Sequence, residues 1–86
     1  MTETIKVLKQ QPNLTQVLVS HKGNYYVVSY STRLSEPETY IFNSDSQGNI
    51  TDWAEAGGTK GGNVRQVIDN MDEYLYSAEQ LKFMDL

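Results

Sequence analysis

Residues 57–62, Gly-Gly-Thr-Lys-Gly-Gly, hold four of the chain's six glycines and run into an asparagine followed by a helical apolar pattern. A glycine loop with a lysine at a helix N-terminus offers free backbone N–H groups, the positive end of the helix dipole and a cation. Together these are the physical means of holding a phosphate or carboxylate. Gly58, Thr59, Lys60, Gly61 and Gly62 are therefore the candidate anion-binding residues. The phosphate-loop spacing G-x-x-x-x-G-K-[ST] is not met, because Thr59 precedes Lys60 and no hydroxyl residue follows it. The simpler reading is a flexible connection between a strand and a helix.

Two other sets of residues have the types that bind metals or move protons. Residues 43–50, Asn-Ser-Asp-Ser-Gln-Gly-Asn-Ile, resemble the first eight positions of an EF-hand calcium loop. The twelfth position, where that loop needs a bidentate glutamate, is Ala54. The same residues serve an Asx-rich hairpin turn, so no metal is expected. His21 is the only histidine and falls where a strand meets a turn. No His or Glu stands at metal-ligand spacing from it, and Ser20, Ser29 and Ser31 are its only hydroxyl candidates nearby. A solvated turn histidine is the expectation, with no catalytic residue and no cofactor assigned.

Two surfaces read as binding faces. Tyr25, Tyr26, Tyr30, Tyr40, Phe42 and Trp53 fall on adjacent expected strands. Tyr26, Tyr30 and Tyr40 are taken as an exposed aromatic row, since tyrosine supplies contact area at low entropic cost. Asp69, Asp72, Glu73 and Glu79 form an acidic face on the helix and the segment after it. Residues 1–68 carry six basic and six acidic side chains, whereas residues 69–86 carry one and five, so the whole net charge of −4 sits at the end of the chain. Such a face repels nucleic acid and attracts a basic protein surface.

These residues need a scaffold, and hydrophobic spacing supplies one. In residues 63–75 the apolar positions Val64, Val67, Ile68, Met71, Tyr74 and Leu75 make one stripe of a helix. Asn63 is its N-cap, and Gln66 is spaced for a capping-box return bond. A helix over about 63–76 must lie on something, because an isolated one is marginal in water. Strands are expected at about 4–10, 15–21, 25–31, 39–43 and 50–53, from β-branched and aromatic runs between turn formers. Residues 4–10 have a short amphipathic helix as their alternative. Residues 25–31 are apolar on both faces and belong at the centre of the sheet. Ser77-Ala78-Glu79-Gln80 has capping-box spacing and would open a short helix over 78–84. The fold class is α+β: a four- to five-stranded antiparallel meander with one C-terminal amphipathic helix packed across one face.

Eighty-six residues suit one small domain, 1–86, with one core. The absence of cysteine excludes disulfides, cysteine-ligated zinc and a thiol nucleophile. Residues 1–20 have no apolar leader core and the longest apolar run, 25–28, cannot span a bilayer, so a soluble cytoplasmic protein is expected. Size, acidity and lack of cysteine are a likeness shared with phage and mobile-element accessory proteins, including inhibitors of host defence nucleases. That likeness implies a non-enzymatic interaction domain whose acidic helix docks on a basic host protein. A small anionic-ligand binder using the glycine loop is the alternative, and a homo-oligomer built by pairing along the first strand is a third.

Overall fold

The computed structural model describes residues 2–32 and 36–76. Five strands, β1 (Thr2–Gln11), β2 (Leu14–His21), β3 (Asn24–Ser31), β4 (Glu38–Ser44) and β5 (Ile50–Lys60), form one antiparallel sheet in the order β1-β2-β3-β4-β5. Two short helices follow, α1 (Val64–Asp69) and α2 (Met71–Tyr74). β3 is the central strand, as its two apolar faces require. Residues 4–10 are strand rather than helix, within β1. The expected helix over 78–84, with Glu79, lies outside the described residues.

The turns follow from their residues. Lys22 and Gly23 both take positive φ, 50° and 82°, the type I′ geometry whose twist matches a two-residue hairpin. In the β4–β5 turn, Asp45 accepts from the Gln47 and Asn49 backbone N–H groups with one oxygen and from the Asn49 amide with the other. The oxygens that an EF-hand would aim at calcium are thus spent on the turn. The same bonds, led by the Asn49 N–H, hold the Asp45 carboxyl below its usual range.

The sheet register puts Val17, Val19, Val28 and Ile41 on one face, where they close a buried cluster with Val67 and Met71. Val64, Ile68, Tyr74 and Leu75 pack around it. Leu18 and Val27, paired across β2 and β3, are buried on the opposite face. Leu8 of β1 reaches the β4–β5 turn, where a Cβ on Gly48 would lie 2.7 Å from Leu8 Cδ2. No helix among the described residues is long and apolar enough to cross a membrane.

Two expectations need correction. The helix over 63–76 is not continuous but breaks at Asn70, whose φ of −133° and ψ of 40° are not helical. Asn70 Nδ2 donates to the Gln66 carbonyl, the competition with backbone bonding that makes asparagine a poor interior helix residue. Asn63 does cap α1, accepting from the Gln66 N–H at 2.8 Å, but the Gln66 side chain goes to the Tyr74 hydroxyl. The fifth strand also runs to Lys60 rather than ending near residue 53, so most of the glycine segment is strand. Gly57 explains why glycine is needed there. A Cβ on it would lie 2.2 Å from the Tyr74 carbonyl oxygen, because Leu75 bridges to Gly57 and the Tyr76 N–H bonds to the Ala56 carbonyl.

Met71→Ala should destabilise the protein by about 2–5 kcal/mol, the range for emptying a buried methionine site. Ile5→Ala, at a position 46% exposed, should cost about 0.5 kcal/mol or less. Gly57→Ala should also destabilise, since backbone atoms oppose the new methyl. Urea denaturation of the three variants checks the ranking.

Candidate interaction surface

The strand register separates the tyrosines expected to share a face. Tyr26 pairs with Val19 and Asn43, and Tyr30 with Thr15 and Thr39, which places both on the helix side, half-buried. Tyr40 pairs with Ser29 and lies on the other side. The row of Tyr26, Tyr30 and Tyr40 is therefore not one surface, because side chains one residue out of phase point to opposite faces. The aromatics that do meet are Tyr40, Phe42 and Trp53. Ring centroids are 6.2 Å apart for Tyr40–Phe42 and 5.6 Å for Phe42–Trp53, both pairs tilted, within the range aromatic pairs favour.

A bulge sets the outer end of this ladder. Asn43 pairs with Asp52 and Ile41 with Gly57, so Trp53, Ala54, Glu55 and Ala56 together oppose the single residue Phe42. Asp52 fixes the excursion by accepting from the Ala54 N–H at 2.9 Å. The bulge re-aims the chain, as bulges do, and leaves Trp53 73% exposed. No alternation of polar and apolar residues marks it; the only local sign is an indole between an aspartate and an alanine.

Beside the ladder lies an open cleft of about 230 Å³, lined by Glu38, Tyr40, Glu55, Gly58, Thr59, Lys60 and Tyr76. The Tyr40 hydroxyl donates to Glu38 Oε2, and Tyr76 lines the same cleft as Glu55. The bond to Glu38 pushes the Tyr40 phenol up to about 12; burial, with Glu55 nearby, raises Tyr76. Both phenols thus stay protonated donors at neutral pH.

The residues expected to hold an anion are otherwise employed. Gly58, Thr59 and Lys60 pair with Tyr40, Thr39 and Glu38 in β5, the Gly61 N–H donates to the Pro37 carbonyl, and the Gly62 carbonyl accepts from Thr39. The expected open cradle is a strand and a short tied connection. Its backbone groups are engaged by β4 and its neighbours.

The acidic face carries its own cations. Asp69 pairs with Arg65 at 3.3 Å, and Asp72 with Lys22 at 3.0 Å. Glu73 is exposed, and Glu79 lies outside the described residues. Asp72 also accepts from His21 Nε2 at 2.9 Å, while His21 Nδ1 lies 2.6 Å from the Thr2 hydroxyl. Sequence reasoning missed this chain, whose partners stand 19 and 51 residues from His21. Its hydroxyl–imidazole–carboxylate order is that of a nucleophilic relay. Here the ring is 5% exposed with both nitrogens engaged, and the bonds tie the start of β1 and the end of β2 to α2. The three residues act as a clasp, and they line an open cleft of about 450 Å³. His21 is thus buried and partnered, not the solvated turn histidine expected. Among the described residues no group of three or more His, Asp or Glu side chains could hold a metal ion.

Comparison with protein-family models, curated proteins and solved structures finds no match to this chain.

The bonds from His21 first, then Lys22, hold the Asp72 carboxyl below its usual 3.8. A depressed carboxylate contributes stability that is complete above its unfolded pKa and lost as pH falls through its folded one. The melting temperature should therefore drop between about pH 5 and pH 3 more in the wild type than in Asp72→Asn, which lacks that contribution at every pH. Glu73→Gln should track the wild type. Thermal melts at stepped pH test this.

Proposed function

We propose that the chain is a non-enzymatic protein-interaction domain that engages its partner through the β4–β5 aromatic ladder. The observation that carries this reading is Trp53, an indole 73% exposed yet held on Phe42 by a bulge with its own side-chain tie. Tryptophan is among the residues enriched at the energetic centres of interfaces, and here its contact with Phe42 favours one placement before the partner arrives. The carboxylates Glu38, Asp52 and Glu55 around the ladder suit a partner with a basic surface.

This reading moves the contact away from the helices. Two of the three described carboxylates of the acidic face, Asp69 and Asp72, already hold a cation. Homo-association along β1 draws on Ile5 and Val7, 46% and 54% exposed. Two register shifts, between Thr4 and Lys6 and between Val7 and Lys9, interrupt that strand, the usual protection of an edge.

Trp53→Ala should weaken partner binding about 30-fold or more, the effect of losing an anchor of about 2 kcal/mol, with the melting temperature unchanged. Asp69→Asn/Glu73→Gln should leave binding within about threefold. Affinity capture with the three proteins at equal concentration, read by quantitative mass spectrometry, tests the reading. A partner retained by Trp53→Ala and lost by the helix variant would place the contact on the helices.

A further inference from the structure

The cleft beside the ladder has features that a general sticky face would not need. Two carboxylates line it, Glu38 and Glu55, with Tyr40 and Tyr76 in the same wall, and Glu38 takes the Tyr40 hydroxyl on one side. Glu38 is thereby oriented while both carboxylates retain acceptor capacity, since a carboxylate offers about four lone-pair directions. Lys60 also lines the cleft, and among the described residues it makes no ion pair with either glutamate. The described lining is thus acidic by one charge. Next to it run the tilted rings of Tyr40, Phe42 and Trp53, an edge on which a flat cation can stack.

Building on the interaction reading above, we propose that this cleft seats an arginine side chain of the partner protein, its guanidinium held by Glu38 and Glu55 and its stem laid along the ladder toward Trp53. The guanidinium is planar, weakly hydrated and carries five donors in a fork, so it can bond two carboxylates and stack on an aromatic ring at once. An ammonium is compact and strongly hydrated and gains less from both. A neutral or acidic segment would leave two partly desolvated carboxylates without a counter-charge. Lys60 competes for the same carboxylates, which predicts that removing its charge tightens binding.

Trp53 is the only tryptophan and stacks on Phe42 at the end of the ladder away from the cleft, so its emission reports a stem laid along the ladder. The probes are three capped octapeptides of alanine and serine that differ at one central residue: arginine, lysine or citrulline. Citrulline keeps the shape of arginine and removes its charge. The arginine peptide should change Trp53 emission saturably, with Kd in the millimolar range or tighter. The lysine peptide should bind several-fold more weakly, and the citrulline peptide at least tenfold more weakly. Glu38→Gln/Glu55→Gln should reduce arginine-peptide binding about tenfold, and Lys60→Gln should strengthen it. If circular dichroism shows the double variant misfolded, Glu55→Gln alone replaces it, with at least a threefold loss expected.

Equal binding of arginine and citrulline peptides, lysine binding as tight as arginine, or full binding by the glutamine variants would each overturn the proposal. So would emission that changes with protein concentration in the absence of peptide, because the occupant would then be a second copy of this chain. The two readings fail separately. If the arginine peptide does not bind but Trp53→Ala still loses the captured partner, the arginine seat is wrong and the ladder interface stands. If neither Trp53→Ala nor the glutamate variants affect partner capture, the interface reading itself falls.

Discussion

The approach of the Tyr74–Leu75 backbone to Gly57 governs most of what surrounds it. Where any other residue would place a methyl 2.2 Å from a carbonyl oxygen, the end of α2 can lie directly on β5. That contact settles the helix pair over Val28 and Ile41, so Val67 and Met71 reach the buried cluster. It also lets Leu75 and Tyr76 bond along the outer side of β5, which masks part of an edge that would otherwise offer free backbone groups. Tyr76 is delivered to Glu55 by the same contact, which completes the acidic cleft.

The opposite end of the sheet is held by polar bonds rather than by steric fit. Thr2, His21, Lys22 and Asp72 come from β1, β2, the β2–β3 hairpin and α2, and their bonds join the N-terminal edge of the sheet to the helices. The break at Asn70 belongs to this arrangement. A straight helix would carry residues 71–74 along the axis of α1, whereas the break starts a new turn there, with Met71 pointing down and Asp72 toward His21. Much of the negative charge on the helices is consequently spent inside the molecule. The open acidic character is found instead around β4 and β5.

The contrast between these two faces shows why charge along a sequence is a poor guide to charge on a surface. Residues 69–86 hold all the formal excess, yet Asp69 and Asp72 are met by Arg65 and Lys22. Residues 36–60 hold an equal local excess, five acids against Lys60, which the bases elsewhere in residues 1–68 offset, and two of those acids, Glu38 and Glu55, line one cleft beside the aromatic ladder. Among the described residues, Lys60 is the one cation that lines the cleft.

Local patterning by itself determined a great deal of this protein. β-branched and aromatic runs marked four strands and left the first open between strand and helix, turn residues marked the hairpins, and the stripe of Val64, Val67 and Met71 identified which residues meet the sheet. Those features depend on neighbours in sequence, so one chain suffices to read them. What only the tertiary structure decided was phase and partnership. A shift of one residue in register moves Tyr40 away from Tyr26 and Tyr30. A bulge opposite Phe42 turns Trp53 outward, and pairing with β4 converts a glycine loop into a strand. His21 acquires Thr2 and Asp72 from segments far along the chain. Each of these depends on which backbone comes to lie beside which, and that follows from burying the whole core at once rather than from the preferences of any single segment.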